Sequence, residues 1–278
     1  MTSYKLSCIT HTKRIQGEDG NSSRPPAPPM ASFVGSTWDR SGSMSSMRGT
    51  PGQAFYKWAV DACTQAEELG QDCFLFASTF DNVSEIRLNN VHHNNVKISI
   101  DDANDWTEPR GRTKLYDTAV EDVLRIRRAA QNYKNNLPRE IRNLNPHIVI
   151  AWSLMTDGMD NASEVADQEV LAYTVREARD AGCLCYFLAA NCNGVERGRE
   201  YGFDAEKSLT FGSDERSSAN AFKGMSQCLR VATSGSQDNS IPTLVREAST
   251  PAPQTGTVRT APWPHCSGRQ AYYESLRR

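Results

Sequence analysis

His147-Ile148-Val149-Ile150-Ala151-Trp152-Ser153-Leu154-Met155 runs directly into Thr156-Asp157-Gly158. A run of strand length that is apolar on both faces suits a central parallel strand, because helices cover such a strand on both sides. Beyond it, helix and strand alternate. Residues 165–181 read as a helix, 183–190 as another buried strand, 194–201 as a short helix, 208–211 as an edge strand and 217–233 as a closing helix. Upstream, Leu115, Ala119, Val123, Ile126 and Ala130 recur at helical spacing and predict a helix over 115–133. Alternating strands and helices indicate an α/β fold with a doubly wound, mostly parallel sheet and helices on both faces.

Nearer the start, residues 31–38 are short, small and modestly apolar, the weakest strand of the set. They lead into Asp39-Arg40-Ser41-Gly42-Ser43-Met44. Phe55, Trp58, Ala59, Ala62, Cys63, Ala66 and Leu69 then mark one face of a helix over 52–69, closed by Gly70. Residues 73–80 form a compact apolar run of strand length. Residues 84–91 and 96–100 alternate like an edge pair around His92-His93-Asn94-Asn95, where adjacent histidines favour a turn over a metal site.

The Asp-x-Ser-x-Ser run offers one carboxylate and two hydroxyls to a single point. Hard divalent cations such as Mg²⁺ prefer oxygen donors, although Asp, Ser and Gly also build ordinary turns. More groups must converge for it to mean chemistry. In a doubly wound sheet, groups beyond the carboxyl ends of the strands meet in one crevice. The Asp39 turn, the Gly111-Arg112-Thr113 loop and the Thr156-Asp157-Gly158 turn share that relation to the sheet. Together Asp39, Ser41, Ser43, Thr113 and Asp157 supply two carboxylates and three hydroxyls, with some contacts running through water.

These segments, in this order, resemble the von Willebrand factor type A (VWA) family over residues 31–234. The resemblance rests on Asp39 to Met44, on Gly111-Arg112-Thr113-Lys114-Leu115-Tyr116-Asp117, and on Met155-Thr156-Asp157-Gly158-Met159-Asp160-Asn161-Ala162-Ser163. With Tyr186-Phe187-Leu188-Ala189-Ala190-Asn191 it looks most like an intracellular microbial and viral subgroup. The resemblance implies a Rossmann-like fold and a metal-ion-dependent adhesion site (MIDAS) with Asp39, Ser41, Ser43, Thr113 and Asp157 as ligands to Mg²⁺ (or Mn²⁺ or Ca²⁺). It further implies that the ion is completed by an Asp or Glu carboxylate of a protein partner, which is binding without turnover. Two departures stand out: Gly35-Ser36-Thr37 interrupts the first strand, and Arg112 replaces a second glycine, either beside the ion or facing solvent.

A hydrolase fits less well, because position 41, where an aspartyl phosphatase carries a second Asp, is Ser, and no phosphate-binding Gly-rich loop is present. Asp160 is expected to cap a helix starting near Ser163.

The whole chain has 278 residues, 31 basic and 33 acidic, so no global field draws it to nucleic acid. Its low mean hydropathy, -0.59, reflects more polar material than a compact domain needs and points to extended ends. A proline-rich arm (1–30, with Pro25-Pro26-Ala27-Pro28-Pro29) and a tail (235–278, rich in Ser, Thr, Pro and Gln) answer that description. Such arms could instead dock the protein into a larger assembly, a viral particle among the candidates. No apolar run approaches a membrane span and the first fifteen residues lack a secretory pattern, giving a cytoplasmic expectation. The eight cysteines show no zinc-type pairing and read as buried thiols.

Overall fold

Strand and helix alternate from Ala31 onward in the computed structural model, which describes residues 30–47, 50–212 and 214–233. The elements are Ala31–Asp39 (β1), Thr50–Leu69 (α1), Asp72–Phe80 (β2), Ser84–His92 (β3), Ile100–Trp106 (α2), Leu115–Asn136 (α3) and Arg139–Asn143 (α4). They continue with Ile148–Thr156 (β4), Gln168–Asp180 (α5), Leu184–Ala190 (β5), Gly194–Glu200 (α6), Ser208–Phe211 (β6) and Glu215–Thr233 (α7). The tail at 235–278 and all of the proline-rich arm except Met30 lie outside the described residues.

The six strands pair in the order β3-β2-β1-β4-β5-β6, all parallel except the β2–β3 pair. Order therefore reverses between β1 and β4. One apolar layer, containing Phe55, Trp58, Phe222 and Met225, packs α1 and α7 against one face of the sheet. A second, containing Leu115, Val123, Ile126, Leu171 and Val175, packs α3 and α5 against the other. The sheet is thus doubly wound, as the alternation of elements predicts. No helix among the described residues is long and apolar enough to cross a membrane.

β1 reads as the weakest strand yet lies at the centre, with all nine residues buried. Its small and polar residues are matched to neighbours. A Cβ at Gly35 would collide with Ile126 Cδ1 on α3, so glycine lets that helix lie close on the strand. Ser36 Oγ lies 2.7 Å from Ser153 Oγ of β4. Thr37 Oγ1 donates to Asp122 Oδ2 at 2.5 Å and accepts from Trp152 Nε1 at 2.9 Å. Asp122 Oδ1 in turn accepts from Ser78 Oγ at 2.8 Å and Arg125 Nη2 at 2.6 Å. Buried polar groups persist when partnered, and each of these has a partner.

Two local expectations fail. Residues 96–99 form no strand; Ser99 and Asp102 make a reciprocal capping box, and α2 begins at Ile100. Nor does Asp160 cap a helix starting near Ser163; its Oδ1 instead accepts from Tyr116 N in the first turn of α3 at 3.2 Å. Asp167 caps α5 by accepting from Val170 N at 3.0 Å, while Asp160 also accepts from Ser163 N at 3.2 Å within a turn. The His92–His93 turn occurs as read, with the second histidine in a 3-10 turn.

Gly35→Val tests the close approach of α3 to β1. Overpacking a filled core costs about 1–3 kcal/mol, so urea unfolding should show a loss of that size; an unchanged midpoint would mean that α3 does not sit against this position.

Candidate metal centre

Asp39 ends β1 and Asp157 follows β4, so both carboxylates stand at the carboxyl ends of the two strands between which the order reverses. This is the usual ligand crevice of an open α/β sheet. Asp39 is fully buried. Its Oδ1 accepts from Ser41 N at 2.7 Å and its Oδ2 from Thr156 Oγ1 at 2.5 Å. Thr156 Oγ1 also accepts from Gly158 N at 3.1 Å, which folds the Asp157 turn back over the strand end.

The hydroxyls join the carboxylates. Ser41 Oγ and Ser43 Oγ are 3.0 Å apart, and Ser43 Oγ donates to Asp157 Oδ1 at 2.7 Å. Thr113 arrives from the third loop. A Cβ placed on Gly158 would stand 3.8 Å from Thr113 Oγ1 and 3.9 Å from Ser43 Oγ, so both hydroxyls face the same small space. All five residues named from sequence are brought to this crevice.

Backbone bonds lock the three loops together. Gly42 N donates to Gly111 O at 3.2 Å and Arg110 N to Arg40 O at 2.7 Å. Asn161 Oδ1 accepts from Thr113 N at 2.9 Å, while Thr113 O accepts from Asn161 N at 3.0 Å and Ala162 N at 3.1 Å. Asp117, near the start of α3, accepts from Glu164 N at 2.9 Å, Val165 N at 3.1 Å and Ala166 N at 2.6 Å, clasping the loop that carries Asp157. Arg40, although inside the motif, turns away. Its buried guanidinium lies 3.1 Å from Asp81 Oδ2 and 2.5 Å from Glu85 Oε1. Arg112 is exposed and faces solvent, with its backbone N–H donating to Asn82 Oδ1 at 2.5 Å.

Sequence reasoning gave no structural role to Thr156, Asn161, Asp117 or the Arg40 cluster. Thr156 precedes a named carboxylate and could have been found as its support. The others act through contacts between loops, which local spacing does not encode.

Burial pushes the Asp39 carboxyl up to about 7 against the pull of its Thr156 and Ser41 hydrogen bonds, and the nearby Asp157 charge adds to the rise. Burial also raises Asp157, opposed by the Ser43 hydrogen bond. Two acids disfavoured as anions, bordered by three hydroxyl oxygens, fit a hard divalent cation that would neutralise both. Among the described residues no three His, Cys, Asp or Glu side chains converge to hold a metal, so the hydroxyls are essential to the candidate. The six described cysteines are free, and burial raises thiols such as Cys183, to about 11, away from reactivity. His92 and His93 sit at the amino end of β2, beside Asp72 and Cys73, across the sheet from the crevice.

No protein-family model and no curated protein matches the sequence. Several solved structures are similar in shape. One is proximal thread matrix protein 1 from the mussel byssus with a zinc-occupied MIDAS motif, at 14% identity and a TM-score of 0.43 over 76% of this chain and 46% of that one. Another is the vWF domain of the type V pili tip protein Mfa5 from Porphyromonas gingivalis, at 8% identity and a TM-score of 0.47 over 73% and 96%. A third is the SpRpn10 VWA domain, at 11% identity and a TM-score of 0.41 over 69% and 94%. The chain spans less than half the length of the mussel protein. At these identities and scores the likeness places no residue and assigns no function.

The raised Asp39 carboxyl gives a pH test. Without metal, its folded-state value lies above the unfolded one, so its contribution to stability is complete below about pH 4 and lost as pH rises through about 7. A divalent ion competes with that proton. Melting curves with and without Mg²⁺ should therefore show metal stabilisation growing from pH 5 to 7 and levelling above, with apparent affinity rising by up to about tenfold per pH unit. A metal effect equal at pH 5 and 8 would contradict the assignment.

Proposed function

We propose that this chain is a VWA-type binding module that holds one divalent ion, Mg²⁺ (or Mn²⁺ or Ca²⁺), and uses it to capture an acidic side chain of a partner protein. The observation that carries this reading is the chain of contacts from Asp39 through Ser41 and Ser43 to Asp157, with the Thr113 hydroxyl facing the same space. Ser41, Ser43 and Thr113 would hold the ion by neutral oxygens. Asp39 and Asp157 would balance its charge directly or through water.

Two carboxylates roughly neutralise a divalent ion and leave it electrophilic at any position that the protein does not fill. An Asp or Glu from a partner is a hard anionic donor of the kind such an ion accepts. The bond is directional, so the surrounding loops select the partner by shape and charge. The chemistry is capture without turnover: the described histidines near β2 stand at the wrong edge of the sheet to act as a base here. We place the protein in the cytoplasm, in a microbial or viral setting, with incorporation into a particle as one use of such capture.

Affinity capture with the full chain in Mg²⁺ or EDTA, beside Ser41→Ala/Ser43→Ala, tests this reading. Partners should be retained in Mg²⁺ and released by EDTA, and the double variant should lose metal affinity by at least about tenfold. Identical partners in all three samples would refute it, and loss only on deleting residues 235–278 would assign capture to the tail.

A further inference from the structure

The loop that supplies Thr113 carries three cations in alternation, Arg110, Arg112 and Lys114, and they are not equivalent. Arg110 is spent on the protein itself: its Nε lies 2.5 Å from Asp81 Oδ2 and its Nη2 2.6 Å from Glu85 Oε1. Lys114 Nζ lies 3.4 Å from Asp117 Oδ2. Arg112 is exposed, and among the described residues its guanidinium has no ion-pair or hydrogen-bond partner. Its backbone is nonetheless fixed. The Arg112 N–H is held by Asn82 and the Thr113 N–H by Asn161, while Gly111 takes the positive φ of 70° that the turn needs. The result is an uncommitted planar cation on a pinned stem, one residue from a proposed metal ligand.

We infer that Arg112 is a specificity residue that receives a second carboxylate, so that the module selects partner segments bearing two neighbouring acidic side chains. One carboxylate would go to the ion and the other to the guanidinium. In an extended segment, side chains two residues apart project to the same side about 6.6–6.8 Å apart, within the span of an arginine side chain. Guanidinium pairs bidentately with carboxylate, a geometry that lysine cannot reproduce. The inference rests on the metal-capture reading above and adds the chemistry of the partner to it.

The test uses the full chain and two labelled nine-residue Gly/Ser peptides, one with a single Asp and one with Asp at two positions separated by one residue, followed by fluorescence anisotropy. In Mg²⁺ the two-Asp peptide should bind about fivefold tighter, a twofold statistical advantage multiplied by about 2.5-fold for an exposed ion pair. Arg112→Gln should reduce the gap to about twofold, the statistical advantage of two carboxylates. Arg112→Lys should fall between. Because Arg112 is exposed, the variants should melt with the parent protein. A wild-type protein that does not distinguish the peptides, or a Gln variant that keeps the fivefold gap, overturns the inference alone. Absence of Mg²⁺-dependent binding of either peptide up to millimolar concentration overturns the metal-capture reading, and this inference with it.

Discussion

A carboxylate with no exposed surface sits where the strand order of the sheet reverses, and the surrounding loops are arranged around it. Asp39 cannot be left as a bare buried anion, since desolvating a charge without compensation costs several kcal/mol. Two hydrogen bonds, from Ser41 N and Thr156 Oγ1, offset part of that cost, and the carboxyl still rises to about 7. The protein therefore keeps a group that is strained as an anion and favoured beside a cation. Asp157 shares the condition, and the Ser41–Ser43 hydroxyl pair bridges the two acids.

Bringing Thr113 to the same place is a packing problem. Thr113 is followed directly by Lys114 and then α3, so the position of that helix sets the position of the hydroxyl. Gly35 allows α3 to approach β1, and the Thr37–Asp122 hydrogen bond fixes the helix along the strand. Asp117 then holds the Asp157 loop to the start of the same helix. The Gly-Ser-Thr interruption of the first strand, which in sequence looks like a weakness beneath the first ligand, is what seats the helix carrying the third loop.

Much of this architecture is legible from pattern. The unbroken apolar run of β4 announces a strand covered on both faces, and the order of β and α segments leads from it to the doubly wound sheet. The five oxygen-bearing residues are legible because each lies just beyond an apolar run or just before a helical one. What escaped has a common cause. α2 is a short helix signalled by its Ser99–Asp102 capping box more than by periodicity, so alternation over 96–100 suggested a strand. Asp160 and Asp167 are both helix-capping residue types, and local spacing cannot say that Asp167 meets the first amides of α5 while Asp160 reaches Tyr116 N of α3. Arg40 points to Asp81 and Glu85, roughly forty residues away, an ion-pair cluster fixed by the β2–β3 hairpin and invisible to short-range patterns.

The central claim is that five side-chain oxygens from three loops surround one divalent ion. An anomalous difference map from crystals grown with Mn²⁺ tests it most directly. The account predicts one strong peak between the Asp39 and Asp157 turns, within about 2.0–2.3 Å of at least three of the oxygens of Asp39, Ser41, Ser43, Thr113 and Asp157. Saturating Mn²⁺ with no peak in that crevice, or a peak that touches none of these oxygens, would contradict it.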